Sequence, residues 1–308
     1  MSDYVAYLSA AVGTVYAIDT ATGTITAQWG LDSTQGITAT PDGSQVYATQ
    51  TGQYSVVAID TATSQTTQVT VGAYPQGIAA TVDGSAVWAA VTGPNTPTTG
   101  PGGFNQIAVI STATNTVSDY LTVGDSPRQV VFAPDGSRAY ITTAQSIDIV
   151  DVPSGRVTQS IPDPAGPQDL AISPDGGTLF VTNPVAGALW VIDTAANRLT
   201  AELPVANQPY SVAVTPDGST VYVTDMGSNS VLALDATTLR TVATIPVGAV
   251  PGVVAVTPDG SQAWVGNIFT GDITVFTPAT NAVLETVALG TGTGVIDGVP
   301  IAIVFVNA

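Results

Sequence analysis

One short segment recurs along the whole chain and constrains its fold more than any other feature. Each copy is a large apolar residue followed by a polar or turn-forming residue, most often aspartate. The seven copies begin at Ile18, Ile59, Ile110, Val150, Ile192, Leu234 and Phe276, at spacings of 41, 51, 40, 42, 42 and 42 residues. A period near 42, with short alternating strands in each unit, is typical of β-propeller blades. The sequence therefore predicts an all-β, seven-bladed propeller with four antiparallel strands per blade.

A second motif, a tight turn, follows each of the first six copies. It reads Pro-Asp-Gly, or Val-Asp-Gly once, and is centred on Asp42, Asp83, Asp135, Asp175, Asp217 and Asp259. Proline fixes φ, aspartate bonds back to the backbone, and glycine accepts positive φ. We number blades one to six by these turns. In blade five the four strands are predicted near residues 210–215, 220–225, 230–235 and 240–246.

The two ends of the chain are out of phase with the repeat. Residues 4–8 resemble a second strand, and residues 300–304 resemble a first strand with nothing after it. We therefore expect the termini to build blade seven together, with one strand from the C-terminus and three from the N-terminus. Such closure removes free sheet edges. Residues 1–308 are accordingly predicted to form a single domain.

The second strands carry a recognisable family motif. Residues 221–225, Val-Tyr-Val-Thr-Asp, and 179–183, Leu-Phe-Val-Thr-Asn, resemble the Tyr-Val-Thr-Asn repeat that names the YVTN propeller family. The resemblance covers essentially the whole chain and implies the propeller fold. The class includes surface-layer proteins, lactonases, streptogramin lyases and accessory proteins of biosynthetic pathways. Its lyases and lactonases rely on histidine or metal-binding carboxylates, and this chain does not match those patterns, so we transfer no residues from them.

Composition removes several kinds of chemistry. The chain has no histidine, cysteine or lysine, which excludes Ser-His-Asp and Cys-His nucleophile pairs, Schiff bases, and zinc or copper sites built from nitrogen and sulfur. No cofactor is expected, although carboxylates and carbonyls leave room for calcium or magnesium.

Net charge and the start of the chain bear on partners and location. A net charge of −18 argues against nucleic acids and anionic membranes as partners. The chain begins without a basic and apolar leader, so we expect a cytoplasmic protein. A propeller ring without open sheet edges is expected to be a monomer.

The two ends of each blade carry different loops. The top end holds the connection from the preceding blade and the loop between the second and third strands. The bottom end holds the Pro-Asp-Gly turn and the turn between the third and fourth strands, and we expect structural roles for its aspartates, which are residues 19, 42, 60, 83, 135, 151, 175, 193, 217, 235 and 259. Both departures from the period, residues 92–105 and 290–300, fall at top ends. Long loops confined to one face usually mark a binding face.

Candidate functional residues are therefore sought at the top ends. Arg128 is the only arginine predicted there, because Arg138, Arg156, Arg198 and Arg240 lie near bottom turns. Its guanidinium could hold a carboxylate or enolate, or could instead pair with Asp125 or Asp169. The catalytic candidates are Arg128, Asp169, Asp225 and Tyr210. The substrate-binding candidates are Gln35, Tyr54, Tyr74, Gln76, Phe104, Gln129, Gln168, Asn183, Met226, Asn267, Phe269 and Asp297. We interpret Trp88 and Trp264 as packing residues.

These residues suit positioning and proton transfer better than hydrolysis or redox chemistry. The favoured hypothesis is a cofactor-independent enzyme of cyclase, isomerase or lyase type. It would fold a hydrophobic, polyketide-like molecule with an anionic or carbonyl group in a central top-face pocket. One alternative is a non-catalytic module that binds a protein or glycan. The other is a lactonase or lyase that uses a carboxylate-bound divalent cation.

Overall fold

The computed structural model describes residues 4–308 except residues 12, 94–104, 164 and 290–298. The protein is a seven-bladed β-propeller with four antiparallel strands in each blade, as the repeat predicts. None of the described segments is a helix of the length and apolarity needed to cross a lipid bilayer.

The strands follow the predicted period along the chain. The N-terminal strands are β1 (Tyr4–Ala10), β2 (Thr14–Asp19) and β3 (Thr24–Gly30). Blade one has β4 (Thr34–Ala39), β5 (Gln45–Gln50), β6 (Ser55–Asp60) and β7 (Thr66–Thr70). Blade two has β8 (Pro75–Ala80), β9 (Ala86–Val91), β10 (Gln106–Ser111) and β11 (Thr116–Thr122). Blade three has β12 (Val130–Phe132), β13 (Arg138–Thr142), β14 (Ser146–Asp151) and β15 (Arg156–Pro162).

The remaining blades keep the same arrangement. Blade four has β16 (Leu170–Ile172), β17 (Thr178–Asn183), β18 (Ala188–Asp193) and β19 (Arg198–Pro204). Blade five has β20 (Pro209–Val214), β21 (Thr220–Asp225), β22 (Ser230–Asp235) and β23 (Thr241–Pro246). Blade six has β24 (Pro251–Val256), β25 (Ala263–Asn267), β26 (Asp272–Thr277) and β27 (Ala282–Ala288). The last strand is β28 (Pro300–Asn307). The bounds predicted for blade five agree within one residue.

Blade seven is assembled from both ends of the chain. Its strand order is β28-β1-β2-β3, so one C-terminal strand completes three N-terminal strands. The register joins Val5 to Val306 and Tyr7 to Val304. Beyond the strands, the Ala11 amide donates to the Val299 carbonyl at 2.9 Å. The predicted closure of blade seven is confirmed.

Contacts divide the chain into two compact units, which we describe separately. One unit, Met1–Trp29 with Gln168–Ala308, contains blades four to seven, and the other, Gly30–Pro167, contains blades one to three. In the first unit, apolar clusters join blades four and five, five and six, and six and seven. In the second, clusters join blades one and two, and two and three. The predicted single domain over residues 1–308 stays a prediction.

The bottom-turn aspartates have the structural role that the sequence predicts. Asp42 Oδ1 accepts hydrogen bonds from the Ser44 amide at 3.0 Å and the Ser44 hydroxyl at 2.8 Å. Gly43 adopts a φ of 70°, which glycine reaches without strain. In the other type of turn, Asp19 Oδ1 accepts from the amides of Ala21 and Thr22 at 3.0 and 2.8 Å. These hydrogen bonds lower the pKa of both carboxyls.

A threonine on the second strand links neighbouring blades at their top ends. Thr182 Oγ1 accepts a hydrogen bond from the Asp169 amide in its own blade at 3.1 Å and donates to the Tyr210 carbonyl of blade five at 2.7 Å. Thr49 does the same in the other unit, from the Gly36 amide to the Gln76 carbonyl, at 2.8 and 2.9 Å. The threonine of the Tyr-Val-Thr-Asn repeat is therefore a hydrogen-bonded bridge between first strands.

The tyrosine of the same motif links neighbouring blades near their bottom ends. The Tyr47 hydroxyl donates to Asn115 Oδ1 in blade two at 2.6 Å, and the Tyr222 hydroxyl donates to Asn281 Oδ1 in blade six at 2.9 Å. Burial raises the pKa of both tyrosines to about 12, so they remain protonated donors. Trp88 and Trp264 replace this tyrosine in blades two and six and are buried, as interpreted.

Removal of residues 299–308 should lower the melting temperature by more than about 10 °C. The deletion takes β28 away from β1 and exposes the cluster that contains Leu8 and Trp264. Thermal unfolding followed by circular dichroism measures the loss. Removal of Ala308 alone, which lies outside β28, is the control. An unchanged melting temperature in the long deletion would contradict closure by the C-terminal strand.

Thr182→Val should lower the free energy of unfolding by about 1–3 kcal/mol. Valine keeps the shape but leaves the Asp169 amide without its acceptor and the Tyr210 carbonyl without its donor. Urea unfolding measures the change. Thr286→Val, on the exposed outer strand β27, is the matched control and should change little. Equal effects of the two substitutions would show that the bridge contributes no stability.

Candidate functional site

The first strands of blades one, two and five begin with a bulge that removes two residues from the ladder. The register shifts between Thr34 and Ile37 in blade one, between Pro75 and Ile78 in blade two, and between Pro209 and Val212 in blade five. The second residue of each bulge is Gly36, Gly77 and Ser211. Because the ladder no longer pairs these residues, their amides need other acceptors. Thr49 and Thr224 serve Gly36 and Ser211 at 2.8 and 2.9 Å.

Gln35, Gln76, Gln168 and Tyr210 occupy corresponding positions at the starts of their first strands, and Arg128 occupies this position in blade three. Gln129 occupies the next position, which is that of Asp169 in blade four. Gln35 and Arg128 are exposed, whereas Gln76, Gln129, Gln168, Asp169 and Tyr210 are partly exposed. Side chains of the predicted type therefore lie at the top ends of the first strands of blades one to five.

Asp169 differs from the other candidates in its surroundings. The residue as a whole keeps some exposed surface, but its carboxyl is buried, and this desolvation raises its pKa. Hydrogen bonds from the Ser211 side chain and the amides of Val212 and Leu170 oppose this shift only in part. The Val212 amide lies 3.1 Å from Oδ2 and the Leu170 amide 2.9 Å from Oδ1. Asp169 is thus a fixed carboxyl with an increased affinity for a proton.

Ser211 extends this arrangement across three blades of the same unit. Its hydroxyl interacts with Asp169 of blade four and accepts a hydrogen bond from the Val254 amide of blade six at 3.3 Å. Ser211 is buried. The serine is therefore positioned to hold the carboxyl, and the Val254 amide holds the serine hydroxyl. Sequence analysis missed Ser211, although it occupies in blade five the position that Asp169 occupies in blade four.

Asp225, Asn183 and Asn267 end their second strands and are engaged with nearby loops. Asp225 accepts from the amides of Asn207, Gln208 and Gly227 at 3.3, 3.1 and 3.1 Å. Asn183 Oδ1 accepts from the Ala186 amide at 3.0 Å. Asn267 Nδ2 donates to Asp272 and Thr274 at 2.7 and 2.9 Å. All three are buried, which indicates that they shape the top loops.

Arg128 lies where blade two meets blade three. Its carbonyl accepts from the Gly77 amide at 2.6 Å, and its amide donates to the Thr142 carbonyl at 2.9 Å. A Cβ on Gly77 would overlap the Arg128 carbonyl and the Gln129 side chain. Blade two has Ala90 where blade one has Thr49, and here the two first strands contact each other directly. The Arg128 side chain is exposed, as the hypothesis of an anion-binding cation requires.

The apolar candidates fall into separate groups. Tyr54 and Tyr74 contact each other in the unit of blades one to three, with ring centroids 5.3 Å apart. Phe269 is exposed in the β25–β26 loop and Met226 is partly exposed after β21, both in the other unit. Phe104 and Asp297 lie outside the described residues, as do most of the two long top loops.

Two further observations concern ligands. Among the residues that the structure describes, no group of three or more histidine, cysteine, aspartate or glutamate side chains is placed to hold a metal ion. A cleft of about 250 Å³ lies at the bottom ends of blades one and two. Its lining residues are Thr40, Pro41, Asp42, Ser44, Gln45, Asp83, Gly84, Thr112 and Ala113.

The opposite pKa shifts of two aspartates predict opposite effects of pH on stability. Desolvation raises the pKa of Asp169 above its usual 3.8, so its contribution to stability is present at low pH and is lost as pH rises through the folded-state pKa. Hydrogen bonds lower the pKa of Asp217, so its contribution is lost as pH falls through the folded-state value.

Asp169→Asn should therefore gain stability relative to the wild type as pH increases from about 4 to about 8. Asp217→Asn, the matched control, should lose relative stability upward from about pH 3. Urea unfolding from about pH 2 to about pH 8 gives both slopes, and pH-independent offsets do not affect them. Slopes of the same sign for the two variants would contradict the raised pKa of Asp169.

Comparison with known proteins agrees with this architecture. The profile of the YNCE-like β-propeller family matches residues 14–218. No curated protein matches the sequence. A structure of hydrazine synthase from Kuenenia stuttgartiensis is 24% identical, with a TM-score of 0.78, over 86% of this chain and 90% of that chain.

Two other solved structures are similar over almost their full length. The periplasmic gluconolactonase PpgL of Pseudomonas aeruginosa is 19% identical over 99% of both chains, with a TM-score of 0.76. A functionally unknown protein from Desulfotomaculum acetoxidans DSM 771 is 17% identical over 99% of both chains, with a TM-score of 0.80. At these identities the similarity shows the fold alone. Two of the three similar structures, hydrazine synthase and the gluconolactonase, are named as enzymes. Because the family profile matches more than half of the chain, the protein belongs to the YNCE-like β-propeller family.

Proposed function

We propose that this propeller is a cofactor-independent enzyme that moves a proton on a small molecule bound at the top ends of blades four to six. The observation that carries the proposal is Asp169, a residue that keeps some exposed surface and whose carboxyl pKa is raised by desolvation. A carboxyl with an increased proton affinity can protonate a substrate oxygen and take the proton back in a later step. Perturbed carboxyls of this kind concentrate at functional sites.

The surroundings of Asp169 support a role in acid–base catalysis. Two backbone amides and the Ser211 side chain hold the carboxyl, so little reorganisation is needed when its charge changes. Tyr210 precedes Ser211 in the same bulge and offers a partly exposed phenol. This constellation suits cyclisation, isomerisation or elimination, which need no external reductant or metal.

The substrate class follows from the candidate side chains. A hydrophobic, polyketide-like molecule that carries a carbonyl would present an oxygen to Asp169. Arg128, in the unit of blades one to three, is proposed separately as a side chain that holds an anionic ligand. Lactones belong in the same test, because the similar structure of PpgL is named a gluconolactonase.

A ligand screen followed by turnover measurements tests the proposal. Thermal unfolding with a panel of hydrophobic acids, tetronates, tetramates, macrolides and lactones identifies binders, since a ligand at 100 times its dissociation constant stabilises by about 2.7 kcal/mol. Turnover of a binder should fall at least about 100-fold in Asp169→Asn, with the thermal shift retained. Arg128→Ala should lose the thermal shift of anionic ligands.

Other outcomes would redirect the assignment. Asp169→Asn with unchanged turnover would contradict the acid–base role. Stabilisation by calcium that a chelator reverses would favour a metal-dependent lactonase or lyase. The absence of any shift with the whole panel would favour a module that binds a protein or glycan.

A further inference from the structure

Two exposed tyrosines stand out in the unit of blades one to three. All ten tyrosines of the chain lie within the described residues, and only Tyr54 and Tyr74 are exposed, at 45% and 43% of their surface. Their ring centroids are 5.3 Å apart and their planes meet at 89°. The rings therefore meet edge to face in a right-angled corner at the top end of blade one, and both residues remain exposed to water.

The corner is held in place before any ligand binds. The Tyr54 carbonyl accepts from the Val71 amide, and the Tyr74 carbonyl accepts from the Thr92 amide, both at 3.0 Å. The Tyr74 side chain forms a hydrogen bond with the Tyr54 side chain and raises the pKa of Tyr54. Tyr54 also has a φ of 54°, a conformation that bulky residues rarely adopt. Asn105 and Asn229, directly before the third strands of blades two and five, also have positive φ, so this turn of the repeat fixes the backbone of Tyr54.

The local charge favours a cation. Asp32 lies beside the loop that carries Tyr54, because Gln53 Nε2 donates to Asp32 Oδ2 at 3.0 Å. A Cβ on Gly52 would lie only 2.8 Å from the same oxygen. Asp32 is thus the acidic side chain that a cationic ligand at this loop would meet. The exposed Arg128 lies at the start of blade three.

We propose that Tyr54, Tyr74 and Asp32 form a binding site for a quaternary ammonium or methylated amine group. Two ring faces at a right angle contact a compact cation from two sides, whereas a flat sugar ring would use a single face. The ring quadrupoles attract the cation, and its methyl groups cover the exposed aromatic surface. The site is independent of Asp169 and of the proposed proton transfer.

Titration with choline tests the proposal, and 3,3-dimethylbutan-1-ol is the control ligand, because it has the same shape without the charge. Isothermal titration calorimetry at constant ionic strength measures both affinities. Choline should bind at least tenfold more tightly than the alcohol. Equal affinities would overturn the cation assignment, and the absence of choline binding would overturn the site.

Variants locate the site. Tyr74→Leu should weaken choline binding at least tenfold, whereas Tyr74→Phe, which retains the ring, should keep most of it. Asp32→Asn should weaken binding several-fold. Phe269→Leu, at an exposed aromatic residue of blade six, should have no effect. Choline binding that survives both Tyr74→Leu and Asp32→Asn, with melting temperatures unchanged, would place the ligand elsewhere and overturn the proposal.

Discussion

The hydrogen bonds of one threonine hydroxyl fix the backbone at the starts of several first strands. In blades one and five the bulge frees an amide that the ladder can no longer pair, and the hydroxyl of Thr49 or Thr224 accepts a hydrogen bond from it. Thr182 accepts in the same way from the Asp169 amide before β16. The hydroxyls of Thr49 and Thr182 also donate to the next blade. The bulge is therefore stabilised from outside its own ladder, and the side chains at the strand starts have fixed positions.

Where the threonine is absent, the neighbouring blades approach each other directly. In blade two, Ala90 replaces it and the Gly77 amide bonds to the Arg128 carbonyl. In blade six, Gly266 replaces it, and a Cβ there would lie 2.7 Å from Pro300. The space between the first strands of neighbouring blades is thus filled in one of two ways. Either a threonine hydroxyl bridges the strands, or a small residue lets them come into direct contact. This explains why the Tyr-Val-Thr-Asn pattern varies without loss of the fold.

The sequence predicts those features that depend on the residues of a single turn or on the 42-residue period of the repeat. The turn aspartates, the strand bounds of blade five and the division of blade seven between the termini follow from turn residues and phase. The site depends on neighbours that are distant in sequence. Asp169 appears in the sequence as one of several polar residues at strand starts, and only the approach of Ser211 and Val212, more than 40 residues away, reveals its distinct environment.

Contacts between residues distant in sequence also explain why the sequence alone could not separate structural from functional candidates. Asn183 and Asp225 share a repeat position, and their engagement with loop amides becomes visible only once the loops are in place. The aspartates also show that residue type does not determine proton affinity. Asp217 and Asp169 shift in opposite directions because the first is hydrogen-bonded at the surface and the second is desolvated.

The shared construction of blade seven has a consequence for synthesis of the chain. Strands β1 to β3 leave the ribosome first, and yet β1 pairs with β28, about 300 residues later. At roughly 5–20 residues per second, the apolar edge of β1 waits on the order of 15–60 seconds for its partner. During that interval the nascent chain carries an open strand edge, so its safe production depends on how quickly β28 is translated. A ribosome that stalls before β28 would leave blades one to six complete and blade seven without its C-terminal strand.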